Sequence, residues 1–272
     1  MPTTIATVLG LAAGFHAALY GAYKDSPHEC FKPKRFAREL VIASVVTAAM
    51  AAIGWTHGQT PFVIYLSAFA LSRIATEFWK LFVRVEPQEH FRIPTQIHWV
   101  KGVVHHPVPR LLLGAGFVVS IYGIGCLTTI FPDAWPAPLR GIVIGLCIGT
   151  AEAIAGAYKD GTIEGFYWYK FAKSPTFGML GGLIASGHTT HPAFLLLATI
   201  GSMRMFLELL FKMLPRDLVA LSSIVGIPPF YVMSAVAGAL RMNFSAFLVA
   251  GTCGRLVRFG GLAYCVQSVV GL

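Results

Sequence analysis

VLGLAAGFHAALYGAYKDSPHECFKPKRFAR, Val8 to Arg38, and VIGLCIGTAEAIAGAYKDGTIEGFYWYKFAK, Val143 to Lys173, align without a gap and share 14 identical residues in 31. The shared residues include GAYKD at Gly21 to Asp25 and again at Gly156 to Asp160. Chance gives only a few matches over such a stretch, so the chain is read as a tandem duplication, residues 1–135 and residues 136–272.

The correspondence extends outward in both directions. Glu29 pairs with Glu164, Phe31 with Phe166, Phe36 with Phe171, and the basic Arg35 and Arg38 with Lys170 and Lys173. After a four-residue shortening, Pro61 meets Pro192, Arg73 meets Arg204 and Glu77 meets Glu208. An Ile-Pro pair follows in each half, Ile93-Pro94 and Ile227-Pro228.

Between these landmarks lie apolar blocks. Of the 272 residues, 56% are hydrophobic and only 12% charged, with a mean hydropathy of +0.67. A soluble domain carries about twice that charged fraction, so water is excluded as the main solvent of the chain. A hydrocarbon core needs about 20 residues of helix. The candidate spans are Ile5 to Tyr23, Leu40 to Trp55, Pro61 to Phe82, Val108 to Phe131, Leu139 to Tyr158, Phe177 to Ser186, Pro192 to Met213, Leu218 to Ala237 and Phe244 to Val270. The alternation of a membrane β-strand is absent, and Gly, Ala, Ser and Thr recur inside the spans, where they let backbones approach. The expectation is an all-α polytopic bundle of about eight to nine spans. MPTTIATVLG has neither a basic n-region nor a cleavage signature, so the first block is read as a permanent helix, in a membrane the sequence does not name.

Basic residues set the orientation. The stretch after the first span carries Lys24, Lys32, Lys34, Arg35 and Arg38, and the one after the third carries Arg84, Arg92 and Lys101, whereas WTHGQTP (Trp55 to Pro61) and GHTTHP (Gly187 to Pro192) contain no Lys or Arg. With four crossings between them, the two YKD stretches fall on one side, and the repeats are parallel about an axis along the membrane normal. The Ile-Pro segments are read as broken or re-entrant elements, the first of them amphipathic and interfacial.

Two groups of residues carry most of the candidate chemistry. Arg73 with Glu77, and Arg204 with Glu208, stand four apart on the third helix of each repeat, on one helix face. Either the four charges converge in the bundle interior as a polar pathway or headgroup site, or they sit near the basic end and snorkel while tying the halves together. The duplicated stretch contributes Lys24, Asp25 and Glu29, and Lys159, Asp160 and Glu164. It reads most simply as an amphipathic interfacial helix whose cations meet anionic headgroups. A sharper reading makes its carboxylates Mg²⁺ sites for a lipid diphosphate.

Other residues offer less. His57, His188 and His191 fall in the uncharged loops, without a carboxylate or cysteine beside them, and Cys30, Cys126, Cys147, Cys253 and Cys265 show no ligand spacing. No metal site and no cofactor is expected.

Near the C-terminus, Ile227-Pro-Pro-Phe-Tyr, Gly238 with Met242 and Phe247 at the spacing Gly-x3-hydrophobic-x4-aromatic, and Gly251-Thr-Cys-Gly-Arg255 resemble the DedA/VTT (SNARE-associated) membrane protein superfamily over about the last 55 residues. The resemblance implies movement of lipids, phosphate-headed ones included, between leaflets, with Arg241, Arg255 and Arg258 as headgroup contacts. The basic residue that family places before its motif is replaced here by Phe230 and Tyr231, so proton coupling does not carry over. The plainer reading packs helices through Gly238, Gly251 and Gly254 and lets the arginines snorkel.

The leading functional expectation is a non-enzymatic membrane protein that handles lipids or small anions, a scramblase or transporter with a polar site between its halves. The formal net charge of +9 fits anionic lipids as partners. Nucleic acid is not expected. The competing expectation is an accessory subunit gripping other membrane subunits, and a Mg²⁺-dependent enzyme acting on a phosphorylated lipid is the weakest.

Overall fold

The computed structural model describes residues 2–85, 87, 95–99, 102–130, 135–211, 223 and 244–270, with side chains described at these positions except 24–29, 99, 127–130, 162–163, 209–211, 246 and 261–270. Among the described residues are eight long helices: α1 (Thr3–Glu29), α2 (Pro33–Ala52), α3 (Pro61–Phe78), α4 (Pro107–Ile130), α5 (Ala137–Glu164), α6 (Trp168–Ser186), α7 (Pro192–Phe211) and α8 (Phe244–Val270). Proline opens α2, α3, α4 and α7, where its missing N–H costs nothing and its fixed φ suits the first turn. At α3 the Thr60 hydroxyl also accepts the Val63 N–H at 3.3 Å.

Among the described residues four helices are long and apolar enough to cross a membrane: Thr3–Tyr23, Pro61–Val83, Pro107–Cys126 and Ala137–Gly161. The first and third show what surrounds the chain. α1 buries Ala6, Ala13, Ala17 and Ala18 and turns Val8, Leu11, Phe15 and Leu19 outward, and α4 exposes Leu111, Leu112, Val118 and Val119. Small residues inside and large apolar ones outside reverse the order of a water-soluble helix, because lipid solvates the large side chains while close backbone contact needs small ones.

The first compact unit, Met1 to Leu207, is assembled from antiparallel helix pairs. In the α1–α2 pair a Cβ on Gly10 would lie 2.7 Å from the Ala43 carbonyl oxygen, and one on Gly14 would lie 2.7 Å from that of Glu39. In the α5–α6 pair a Cβ on Gly145 would fall 1.9 Å from the Gly178 carbonyl oxygen, and one on Gly149 would fall 2.3 Å from that of Ser174. These glycines are required for the helices to touch at all. Both pairs turn through a left-handed residue, Cys30 (φ 62°) and Gly165 (φ 82°). α1 and α5 end at Glu29 and Glu164, and α2 and α6 begin at Pro33 and Trp168, the same 135-residue offset each time.

The core joins helices from both halves of the chain. Val63, Leu66 and Ala70 of α3 pack with Ile144 and Ile148 of α5 and with Phe194, Ala198 and Met203 of α7. The uncharged loops meet at one end of this core: the Thr189 hydroxyl donates to Gln59 Oε1 at 2.8 Å, and Phe62 packs on His188 at 4.8 Å. The second compact unit, Glu208 to Leu272, contains α8.

Two expectations change. The basic stretch after the first span is not a separate interfacial helix, because α1 runs through it to Glu29, and α2 starts only four residues later. Cations near a helix end reach headgroups by their own length, so the helix has no need to break where the charges begin. The bundle is also not wholly helical. In the segment expected to be amphipathic, His98–Trp99 pairs antiparallel with Gly102–Val103. Ile93-Pro94 and Ile227-Pro228, and with them the re-entrant reading, lie outside the described residues.

Candidate functional site

Past their contact at Gly14 and Glu39, α1 and α2 diverge. A Cβ on Gly21, near the end of α1, would meet nothing within 4 Å. The space that opens is a small cleft of about 90 Å³, lined by Ala17, Ala18 and Ala22 of α1 with Tyr20 and Phe36. Lys32, Arg35 and Arg38 reach it from the start of α2, Arg73 and Lys80 from the end of α3 and the π-helical turn that continues it (Trp79–Val83), and Arg84 from the residue after that turn. Among the described residues of the lining, Glu39 is the acidic one, beside six cations.

Glu39 is 6% exposed and fully engaged. Ser72 donates to its Oε2 at 3.0 Å, Thr76 to the same oxygen at 2.9 Å, and Arg38 Nη2 to its Oε1 at 2.8 Å. A carboxylate held by charge-assisted and hydroxyl donors serves as a strut between α2 and α3, and it orients Arg38 along the cleft wall. Arg73 lies over the Tyr20 ring, 5.9 Å from its centroid. The floor of the neighbouring turn is closed by Arg110 of α4, 3% exposed, which donates to the Phe82 carbonyl at 2.8 Å and the Arg84 carbonyl at 3.0 Å. Its charge meets the negative end of the helix and satisfies carbonyls that the π turn leaves without helical partners.

The Arg-Glu candidates of the two halves come together in part. The Glu77 carboxylate lies 3.5 Å from Lys80 Nζ and within the electrostatic reach of Arg204, Arg73 and Lys159. Arg204 Nη1 is 3.1 Å from Glu152 of α5. Charges from α3, α5 and α7 thus converge at the basic end of the bundle rather than splaying apart. Lys159 precedes Asp160 near the end of α5, where the Tyr158 hydroxyl donates to the His98 carbonyl at 3.2 Å and the two rings stack at 5.4 Å. Glu164 is bonded by Lys170, and that hydrogen bond raises the lysine pKa.

Several expected site residues contribute less or fall elsewhere. The side chains of Lys24, Asp25 and Glu29 lie outside the described residues, as does Arg241. Glu208 is 1% exposed and belongs to the second unit, with Arg255 and Arg258, both exposed on α8. Arg258 packs over Phe259 at 5.9 Å. Among the described residues no three His, Cys, Asp or Glu side chains gather as metal ligands. His188 and His191 line a shallow hollow with Gly58 and Gln59 at the uncharged end.

Sequence reasoning passed over Glu39, Glu152 and Arg110. Glu39 follows a run of basic residues and looked like part of a solvated face, and Glu152 has alanine, Ala17, at its equivalent in the first half. An acidic residue inside an apolar span was the available signal for Glu152.

No protein-family model, no curated protein and no solved structure matches the chain. The described residues define a helical protein in which four helices are long and apolar enough to cross a membrane, with a cleft lined by cations of α2, α3 and the turn after α3.

Proposed function

We propose that this chain is an integral membrane protein that receives anionic lipid headgroups, or small anions, at the basic end of a duplicated, parallel helical bundle, and that it moves lipid between leaflets. The observation that carries the reading is the gathering of Arg73, Lys80, Lys159 and Arg204 about Glu77. Ionisable residues at the end of membrane helices are costly unless they face one another or a wet cavity, and such places handle charge. The parallel arrangement is supported by the shared helix boundaries of the two halves and by the meeting of the two uncharged loops at the opposite end. The DedA/VTT resemblance of the C-terminal segment adds the idea of lipid movement.

The test is reconstitution into liposomes with a fluorescent anionic lipid. The wild-type chain is expected to bind the lipid and to equilibrate it between leaflets, and Arg73→Ala with Arg204→Ala is expected to slow that exchange about ten-fold. A protein that neither binds nor moves anionic lipid, and that is indifferent to the double substitution, ends the proposal.

A second reading as an accessory subunit is favoured by one feature, the run Phe166, Tyr167, Trp168 and Tyr169 at the α5–α6 turn, each about half exposed or more. Such aromatics suit a headgroup-level belt or a neighbouring subunit. Migration of the native protein only within a large assembly favours the neighbour.

A further inference from the structure

The first two helices of each half cross at equivalent residues but carry different ones just beyond. A Cβ on Gly14 of α1 would meet the backbone of Glu39 and Leu40 on α2, and one on Gly149 of α5 would meet that of Ser174 and Pro175 on α6, each residue 135 positions on. One turn past those glycines stand Ala17 in α1 and Glu152 in α5. The carboxylate of the first crossing is therefore on the second helix of the pair, at Glu39, and that of the second crossing is on the first helix, at Glu152. We propose that Glu152 is a positioning residue: it holds Arg204 where charges of the two halves meet, and at its crossing it takes the part that Glu39 takes in the first half. The functional side of this assignment rests on the headgroup-handling reading above.

The third helices answer the exchange. α3 presents Ser72 and Thr76 to Glu39, at 3.0 and 2.9 Å. At the equivalent positions of α7, 131 residues on, stand Met203 and Leu207, both buried and neither a donor. A carboxylate at position 174 would lack those hydroxyls, and a charge buried without donors is unstable. Ser174 occupies the place instead, 6% exposed. The acid of the second half stands where a guanidinium reaches it, with Arg204 Nη1 3.1 Å from Glu152 Oε1. Arg73, the equivalent of Arg204, has Ala17 on α1 where Arg204 has Glu152, and it lies over the ring of Tyr20, whose own equivalent in α5 is Ala155. Five positions thus differ between the halves as one consistent set.

The placement of Arg204 matters because it is shared. Held by Glu152 from its own half, Arg204 also comes within electrostatic reach of Glu77 from the other. The side chains of the Arg204–Glu152 pair are 27% and 23% exposed, so water and salt screen it only in part. Arg204 makes further contacts, so Glu152 contributes a share of its placement, and a double-mutant cycle isolates that share.

The experiment uses the full chain, in detergent for thermal unfolding and in liposomes for the exchange of a fluorescent anionic lipid and of a zwitterionic one. Glu152→Gln, Arg204→Ala and their combination close the cycle. Glu152→Gln is expected to lower the unfolding midpoint by about 4 °C and to slow anionic exchange about five-fold relative to zwitterionic exchange. Glu152→Asp, which keeps the charge, is expected to regain part of both. In the Arg204→Ala background Glu152→Gln is expected to leave the exchange ratio unchanged, because it acts through the guanidinium. A second variant moves the tie: Glu152→Ala with Ser174→Glu, Met203→Ser and Leu207→Thr gives the second half the residues of the first, with Lys173 already standing where Arg38 does. Its midpoint is expected to rise above that of Glu152→Ala alone while anionic exchange stays slow, since Arg204 still lacks its carboxylate.

An equal effect of Glu152→Gln with and without Arg204 overturns the positioning role. A midpoint that does not recover in the transplanted variant overturns the equivalence with Glu39, and no change in either midpoint or exchange ratio on Glu152→Gln overturns both. If the wild-type chain moves no lipid, the headgroup reading falls by itself, and the midpoint cycle still decides whether Glu152 and Arg204 are coupled.

Discussion

Glu39 shows how one buried side chain organises its surroundings. Ser72 and Thr76 face it from α3 and Arg38 from its own helix, so the carboxylate ends as an acceptor for hydroxyls and a guanidinium in a place with little water. Removing one member of such a set leaves the others buried with unmet demands, which costs more than the set as a whole contributes. Glu39→Ala is therefore expected to destabilise the protein by about 3 kcal/mol, read as a lowered midpoint of thermal unfolding in detergent, whereas Glu39→Gln, which keeps an acceptor oxygen for Ser72 and Thr76, is expected to lose less. An unchanged midpoint for both would mean that α2 and α3 are held by other contacts. The hydroxyl partners were not visible along the sequence, because Ser72 and Thr76 lie more than thirty positions from Glu39.

At the scale of elements, the glycines that matter are those at crossings. Gly145 and Gly178 stand so close that a Cβ on either would fall against the carbonyl oxygen of the other, and Gly141 and Gly182 repeat the contact one turn along. Gly156, further along α5, has nothing within 4 Å of where its Cβ would be. Gly145→Ala is expected to force the helices apart and cost about 2 kcal/mol, while Gly156→Ala is expected to leave stability unchanged or raise it by about 1 kcal/mol. Chemical denaturation in detergent micelles checks the contrast, and equal effects at the two positions would contradict the close crossing. In the first half Gly10 meets Ala43 and Thr47 where the second has Gly145, Gly178 and Gly182, so the α5–α6 pair is the tighter of the two.

For the molecule as a whole, the uncharged loops share one end of the core, and the cations of α2, α3, α5 and α7 gather about the cleft and Glu77. Single cysteines introduced at Lys34 and Tyr169, both exposed, are expected to react with an impermeant maleimide from one side of sealed vesicles, and one at His188 from the other. Reaction of Lys34 and Tyr169 positions from opposite sides would refute parallel repeats.

Residue order alone pointed to the medium and to the duplication. The shortage of charge, the lengths of the apolar blocks and the shared GAYKD belong to the chain whatever its conformation, because partitioning into lipid depends on composition over about twenty residues. Arg73 and Arg204 were legible as candidates for the same reason: a charge in an apolar block stands out. What required the tertiary structure was which charges meet. Glu152 of α5 takes Arg204 of α7, Arg204 and Lys159 come within electrostatic reach of Glu77, and Glu39 of α2 is bonded by two hydroxyls of α3. Those pairings follow from which helix faces pack together, and a crossing is a property of two surfaces, which neither helix specifies by itself.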